Sequence, residues 1–134
     1  MTYSERDRRE FFRLNYSQPL QFRTCGHDST ATTEAASRNI SPTGILLRTE
    51  NRPPAISSLL WLDLDIRTLK ICQEIEGKAL IFNNGLIGKV VRVEEDPEGE
   101  NSFDVGVCFV RKDESKSRDV QRLIAELESP QKLI

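Results

Sequence analysis

Apolar positions along the chain alternate in twos for most of its length and recur at helical spacing only near the end. Leu14, Tyr16, Leu20 and Phe22 keep a period of two that Pro19 interrupts, which predicts a bent or edge strand over residues 14–24. GHDS at 26–29 supplies a turn, the small and β-branched stretch 30–40 a second strand, and SPTG leads into a third, ILLRT, at 45–49. NRPP ends that unit, because consecutive prolines cannot donate ladder hydrogen bonds. LLWLDLDI at 59–66 predicts a strand with Leu60, Leu62 and Leu64 on one face and Trp61 on the other. Strands at 78–82 and 86–93 flank NNG at 83–85, a hairpin signal because Asn and Gly tolerate positive φ. DPEGENS closes the far end, and FDVGVCF at 103–109 is the last strand, with Phe103, Val105, Val107 and Phe109 facing one way. The period then changes: Val120, Leu123, Ile124 and Leu127 share one helical face, with Ser115 or Ser117 as cap and Pro130 beyond the end. The pattern predicts a mainly β fold, a small antiparallel barrel of six or seven strands, with a C-terminal α-helix at about 115–128 covering its open end. Residues 14–128 form this unit, 1–13 a flexible N-terminal segment and 129–134 a tail.

Composition narrows the class. The 134 residues are 37% hydrophobic and 30% charged, the balance of a folded globular chain, and a single core suffices at this length. A net charge of -2 argues against whole-surface attraction to nucleic acid or an anionic membrane, so anion binding has to be local. No apolar run approaches the roughly 20 residues of a membrane span, and the polar N-terminus lacks a signal-peptide core, so a cytoplasmic location is expected. Cys25, Cys72 and Cys108 are odd in number and far apart, which suits reduced, inert thiols; His27, the only histidine, sits in a turn and reads as surface.

Two short motifs carry the candidate chemistry. The stretch ERDRREFFR at 5–13 holds four arginines and three acids around Phe11 and Phe12, with Arg9 and Arg13 in R-x-x-x-R spacing. After 25 intervening residues, RNISPTGI presents Asn39, Ser41 and Gly44 as N-x-S-x-x-G. In this order on this strand pattern, and with GKVVRV at 88–93 and FDVGVCF behind them, the motifs resemble the PilZ family of bacterial cyclic di-GMP receptors. The resemblance covers almost the whole chain and implies a PilZ-like split barrel. It also implies second-messenger signalling without catalysis: binding of the dinucleotide changes the conformation, and a partner protein receives the signal. Motility, pilus assembly, exopolysaccharide synthesis or virulence are the outputs such domains serve.

Physical chemistry points to the same ligand. Cyclic di-GMP offers two phosphates and two guanine O6/N7 edges, and arginine's planar fork bonds guanine edges and phosphate oxygens and stacks on purine faces. The resemblance implies that Arg9 and Arg13 grip the nucleotide from the N-terminal segment while the second motif forms a rigid floor. There the Asn39 amide and Ser41 hydroxyl can bond a guanine edge, and Gly44 permits positive φ and close ligand approach. Asn39 stands where many family members carry Asp, replacing a charged acceptor by a neutral one. In the family, an arginine at the position of Arg8 goes with an intercalated pair of nucleotides, since four phosphates call for more positive charge; the corresponding stoichiometry is two per chain. No cofactor and no metal is expected.

Alternative readings remain. R-x-x-x-R alone is usually a solvated helix face, and Asn39 and Ser41 in a Ser-Pro-Thr-Gly turn can simply cap backbone groups. The chain then resembles a PilZ-like adaptor that does not bind nucleotide. A small RNA-binding barrel is a further option, opposed by the acidic balance and by the lack of aromatic strand positions interleaved with basic ones. Without Ser-His or Cys-His arrangements, a Gly-rich phosphate loop or a metal cluster, no enzyme is expected; Trp61 reads as packing, and Asp63 and Asp65 as solvated.

Overall fold

In the computed structural model, which describes residues 14–15, 18–25, 32–50, 52–64, 75, 77–96 and 101–128, the alternating segments close on themselves. Eight strands form in chain order: β1 (Leu14–Asn15), β2 (Pro19–Thr24), β3 (Thr33–Ser41), β4 (Gly44–Thr49), β5 (Leu59–Asp63), β6 (Ile81–Phe82), β7 (Gly85–Glu95) and β8 (Phe103–Phe109). All pairings are antiparallel, and β3, β2, β5, β7, β8 and β4 make a ring that the β3–β4 pairing closes. Closure leaves six strands without a free edge. β1 extends the ring beside β3, and β6 beside β7.

The expected strand at 14–24 is two strands. Both pair with β3, Leu14 opposite Ile40 and Pro19 opposite Ala36, and beside Pro19 the buried Ser37 accepts at its Oγ from the Gln18 amide at 3.0 Å while its own amide donates to the Gln18 carbonyl at 2.8 Å. The period-two residues point inward as predicted: Leu60 and Leu62 are fully buried, as are Ile40, Leu47 and Val90 on the other walls. Burial of a Leu, Ile or Phe side chain stabilises by about 1.5–3 kcal/mol, so this interior is the main source of stability. Leu64 is buried too, although β5 already ends at Asp63.

Three expectations need correction. The predicted strand at 78–82 keeps only its last two residues. Before them Ile75, Gly77 and Lys78 are helical, the Ala79 amide donates to the Ile75 carbonyl at 2.7 Å, and Ile75 and Ala79 plug the barrel interior. The helix starts later than about residue 115: a 3-10 turn, Lys112–Glu114, precedes α1 (Arg118–Glu128), and Ser117 rather than Ser115 caps it, its Oγ accepting from the Val120 amide at 3.3 Å. Nor does α1 close the open end. Val120 and Leu123 pack with Leu59, Trp61, Ile87 and Val110, so α1 lies on the outside of the β5–β7 wall. β5 is therefore apolar on both faces, Leu60 and Leu62 inward, Leu59 and Trp61 outward. Trp61 is anchored there by its indole N–H, which donates to the Phe82 carbonyl at 2.8 Å.

The hairpin at Asn83 and Asn84 forms as expected. Both have positive φ, 55° and 63°, the pattern of a two-residue type I′ turn. Gly85 has a different job: it opens β7, and a Cβ there would stand 2.5 Å from the Leu62 carbonyl oxygen and 2.6 Å from the Trp61 ring.

Candidate functional site

On the opposite side of the barrel no other described element covers the outer face, and the strand registers place the motif residues on it. Ser41 pairs with Gly44, Gly44 with Cys108, and Cys108 with Lys89; one step along, Asn39 pairs with Leu46, Leu46 with Gly106, and Gly106 with Arg92. Two four-residue rows thus cross β3, β4, β8 and β7. Polar residues stand at both ends of each row, with Gly44, Leu46, Gly106 and Cys108 between. With strands about 4.8 Å apart, three gaps put the rims about 14 Å from each other along the sheet. The groove has a volume of about 280 Å³ and is lined by Asn39, Ser41, Thr43, Gly44, Leu46, Val91, Arg92, Gly106 and Cys108, with Ile45 and Val107 contributing from beneath.

Two irregularities turn the rims outward. The β3–β4 register shifts between Ser37 and Asn39, leaving Arg38 as an extra residue; the β7–β8 register shifts between Val90 and Arg92, leaving Val91 as an extra residue. A bulge of this kind breaks strict alternation, so two consecutive side chains leave the interior together. Burial follows this: Ser37 and Ile40 are inside while Arg38 and Asn39 are not, and Val90 is inside while Val91 and Arg92 are exposed.

The side chains of the predicted floor differ in what they already do. The Asn39 side-chain amide has no hydrogen-bond partner among the described residues. The Ser41 hydroxyl is folded into its own turn: it accepts from the Thr43 amide at 3.3 Å, donates to the Gly44 carbonyl at 3.4 Å and lies 3.3 Å from the Thr43 hydroxyl. These are long contacts, at the weak end of hydrogen bonding, which a better partner can replace. The reason expected for Gly44 is corrected. It lies in strand β4 without positive φ, and a Cβ there would run into the Val107 carbonyl oxygen. Glycine is required by the close approach of β4 to β8. Pro42 and Thr43 make the turn without positive φ, and the Thr43 carbonyl accepts from the Phe109 amide at 2.9 Å.

Charge around the groove is unevenly engaged. Arg48 bonds Asp104 at 3.1 Å and Asp96 at 3.2 Å, and Arg38 lies 3.6 Å from Asp104, a paired strip beside the groove. Arg92 on the far rim has Glu94 at 3.9 Å, with both side chains more than half exposed, 56% and 61%. Such a pair is worth little in water.

Arg8, Arg9 and Arg13 lie outside the described residues, as do Phe11, Phe12 and His27. The peptide bond from Arg13 to Leu14 nevertheless fixes where that segment meets the barrel, because Leu14 pairs with Ile40 and Asn15 with Asn39. Val91, Arg92, Gly106 and Cys108 were not anticipated as site residues. Their signals were a glycine inside FDVGVCF, which marks close approach or irregularity in a strand, and the adjacent Val90 and Val91, which break the alternation before Arg92. Among the described residues no three His, Cys, Asp or Glu side chains gather as a metal site, and no helix is long and apolar enough to cross a membrane.

The described residues thus form a small closed barrel with one polar-rimmed outer face that no other described element covers. The PilZ domain model matches residues 7–126, and the chain belongs to the PilZ family, whose domains bind cyclic di-GMP and regulate rather than catalyse. Two solved structures of MrkH from K. pneumonia, one of a P2(1) crystal and one of the apo state, are each 16% identical to this chain. They cover 95% of it and 48% and 50% of their own chains, with TM-scores of 0.47 and 0.46. The chain thus spans about half the length of MrkH. No curated protein matches significantly.

Proposed function

We propose that this chain is a cyclic di-GMP receptor in which the dinucleotide sits on the bare face of β3, β4, β8 and β7, and the Arg8–Arg13 segment folds over it. The observation that carries this reading is the convergence at one rim: the Asn39 amide, without a partner among the described residues, faces the groove, and β1 brings the arginine-bearing segment to the same end of β3. From Arg9 to Leu14 is five residues, a reach of at most about 18 Å, enough to span a floor about 14 Å wide. Arg9 and Arg13 take guanine edges and phosphates, and Asn39 and Ser41 read a guanine from below. Ordering the segment on binding costs conformational entropy and creates a new surface, through which the state is relayed to a partner protein in the cytoplasm.

Calorimetric titration with cyclic di-GMP tests this. Each arginine contact is worth roughly 2–4 kcal/mol, so the Arg9→Ala/Arg13→Ala variant loses at least tenfold in affinity with its melting unchanged. Full-strength binding by that variant would remove the arginines from the site. Arg8 predicts two nucleotides per chain, and a clean value of one excludes the intercalated pair. The adaptor reading draws on one feature, the Ser41 hydroxyl spent on its own turn; a wild-type chain inert in the same titration decides for it.

A further inference from the structure

We infer that Arg92 is a ligand-binding residue, supplying the far rim of the groove and bonding a phosphate oxygen of the nucleotide seated there. The inference rests on the proposed function for the identity of the ligand, and on the strand geometry for the residue. Arg92 ends the row that begins at Asn39, in continuous register through Leu46 and Gly106. It faces outward because of the bulge at Val91; on a regular strand the side chain after Val91 would turn inward.

Gly106 explains how the side chain reaches the floor. The place where a Cβ would sit on Gly106 is 3.5 Å from Arg92 Cβ and 3.9 Å from Arg92 Nε, so the arginine lies across the glycine toward the groove. Its one charged partner among the described residues, Glu94, stands at 3.9 Å in solvent, and a phosphate displaces so weak a pair at little cost. The neighbouring cations Arg38 and Arg48 are held by Asp104 and Asp96. Division of labour follows from chemistry. The neutral Asn39 amide and Ser41 hydroxyl suit a base edge, whereas a solvated guanidinium across an apolar floor of Leu46, Val91 and Cys108 suits the anion attached to that base.

The test is titration of cyclic di-GMP into wild type, Arg92→Ala and Arg92→Lys, with thermal melting as the folding control. Arg92→Ala is expected to weaken binding at least about tenfold with unchanged melting and stoichiometry, and Arg92→Lys, which keeps the charge, to recover most of that loss. Wild-type affinity in Arg92→Ala overturns the assignment while leaving the proposed function standing. A lysine variant as weak as the alanine variant overturns the phosphate contact in favour of a paired fork on a guanine edge. A wild-type chain that does not bind overturns both the proposed function and the ligand assigned to Arg92.

Discussion

The two outer walls of this barrel have the same strand architecture and opposite fates. Where β5 and β7 turn Leu59, Trp61 and Ile87 outward, α1 covers them and a second apolar core forms. Where β3, β4, β8 and β7 turn Asn39, Ser41, Gly44, Gly106 and Arg92 outward, nothing among the described residues covers the sheet. The difference lies in side-chain size and polarity rather than in backbone: large apolar side chains outside a barrel must be buried by another element, whereas glycines and small polar groups leave a shallow floor that water can tolerate. Under the proposed function the covered wall serves stability and the bare wall the ligand, and changes on each should be separable.

The largest separation is expected from Leu123→Ala on α1. Leu123 is fully buried, and truncation costs about 2–5 kcal/mol of stability in urea unfolding. Nucleotide affinity of the folded fraction is expected to stay as in wild type. The converse change, Gly106→Val, puts a branched side chain on the floor under Arg92; affinity for cyclic di-GMP is expected to fall about tenfold, or 1.4 kcal/mol, with stability little altered. If both variants changed both properties, the two walls would not be independent.

A smaller effect is expected at the cap. Ser117→Ala removes the acceptor for the Val120 amide and costs about 1 kcal/mol by denaturant melts, again without touching binding. The mildest contrast is chemical. Burial first, then the nearby Glu126 carboxylate, pushes the Cys25 thiol above its ordinary pKa against a weaker opposite pull from Arg122, whereas Cys108 is exposed on the floor of the groove. A raised pKa means less thiolate at any pH below it, so in site-resolved alkylation Cys108 is modified before Cys25 from neutral to mildly alkaline pH. Saturating cyclic di-GMP should slow the Cys108 reaction alone.

Much of this contrast was legible in the sequence. Alternation located the strands, the change of period located the helix, and Asn39 and Ser41 fall on one groove because residues two apart on a strand share a face, with Gly44 joining them from β4 as the pairing partner of Ser41. What escaped depends on pairing across the sheet. An apolar helical stripe says that α1 must be covered, but not that the outside of β5 is the surface that receives it, because LLWLDLDI shows only that Trp61 opposes the leucines. Gly44 was read for its backbone freedom, while its real constraint comes from the Val107 carbonyl, 63 positions away in the chain. Arg92 became visible only through the bulge that turns it beside Val91 and the register that sets it opposite Asn39's row. The 78–82 segment misled because Lys78 is an exposed residue of the helical turn and Ala79 belongs to the plug it forms with Ile75, which local preference cannot distinguish from a strand.

The central claim, that the bare wall and not the covered one receives the nucleotide, is tested most directly by NMR titration of the labelled chain with cyclic di-GMP. The predicted result is a set of shifted amides running through Asn39, Ser41, Gly44, Leu46, Arg92, Gly106 and Cys108, with Leu59, Ile87, Val120 and Leu123 unmoved. Shifts concentrated along α1 and β5, with the Asn39-to-Arg92 row silent, would contradict it.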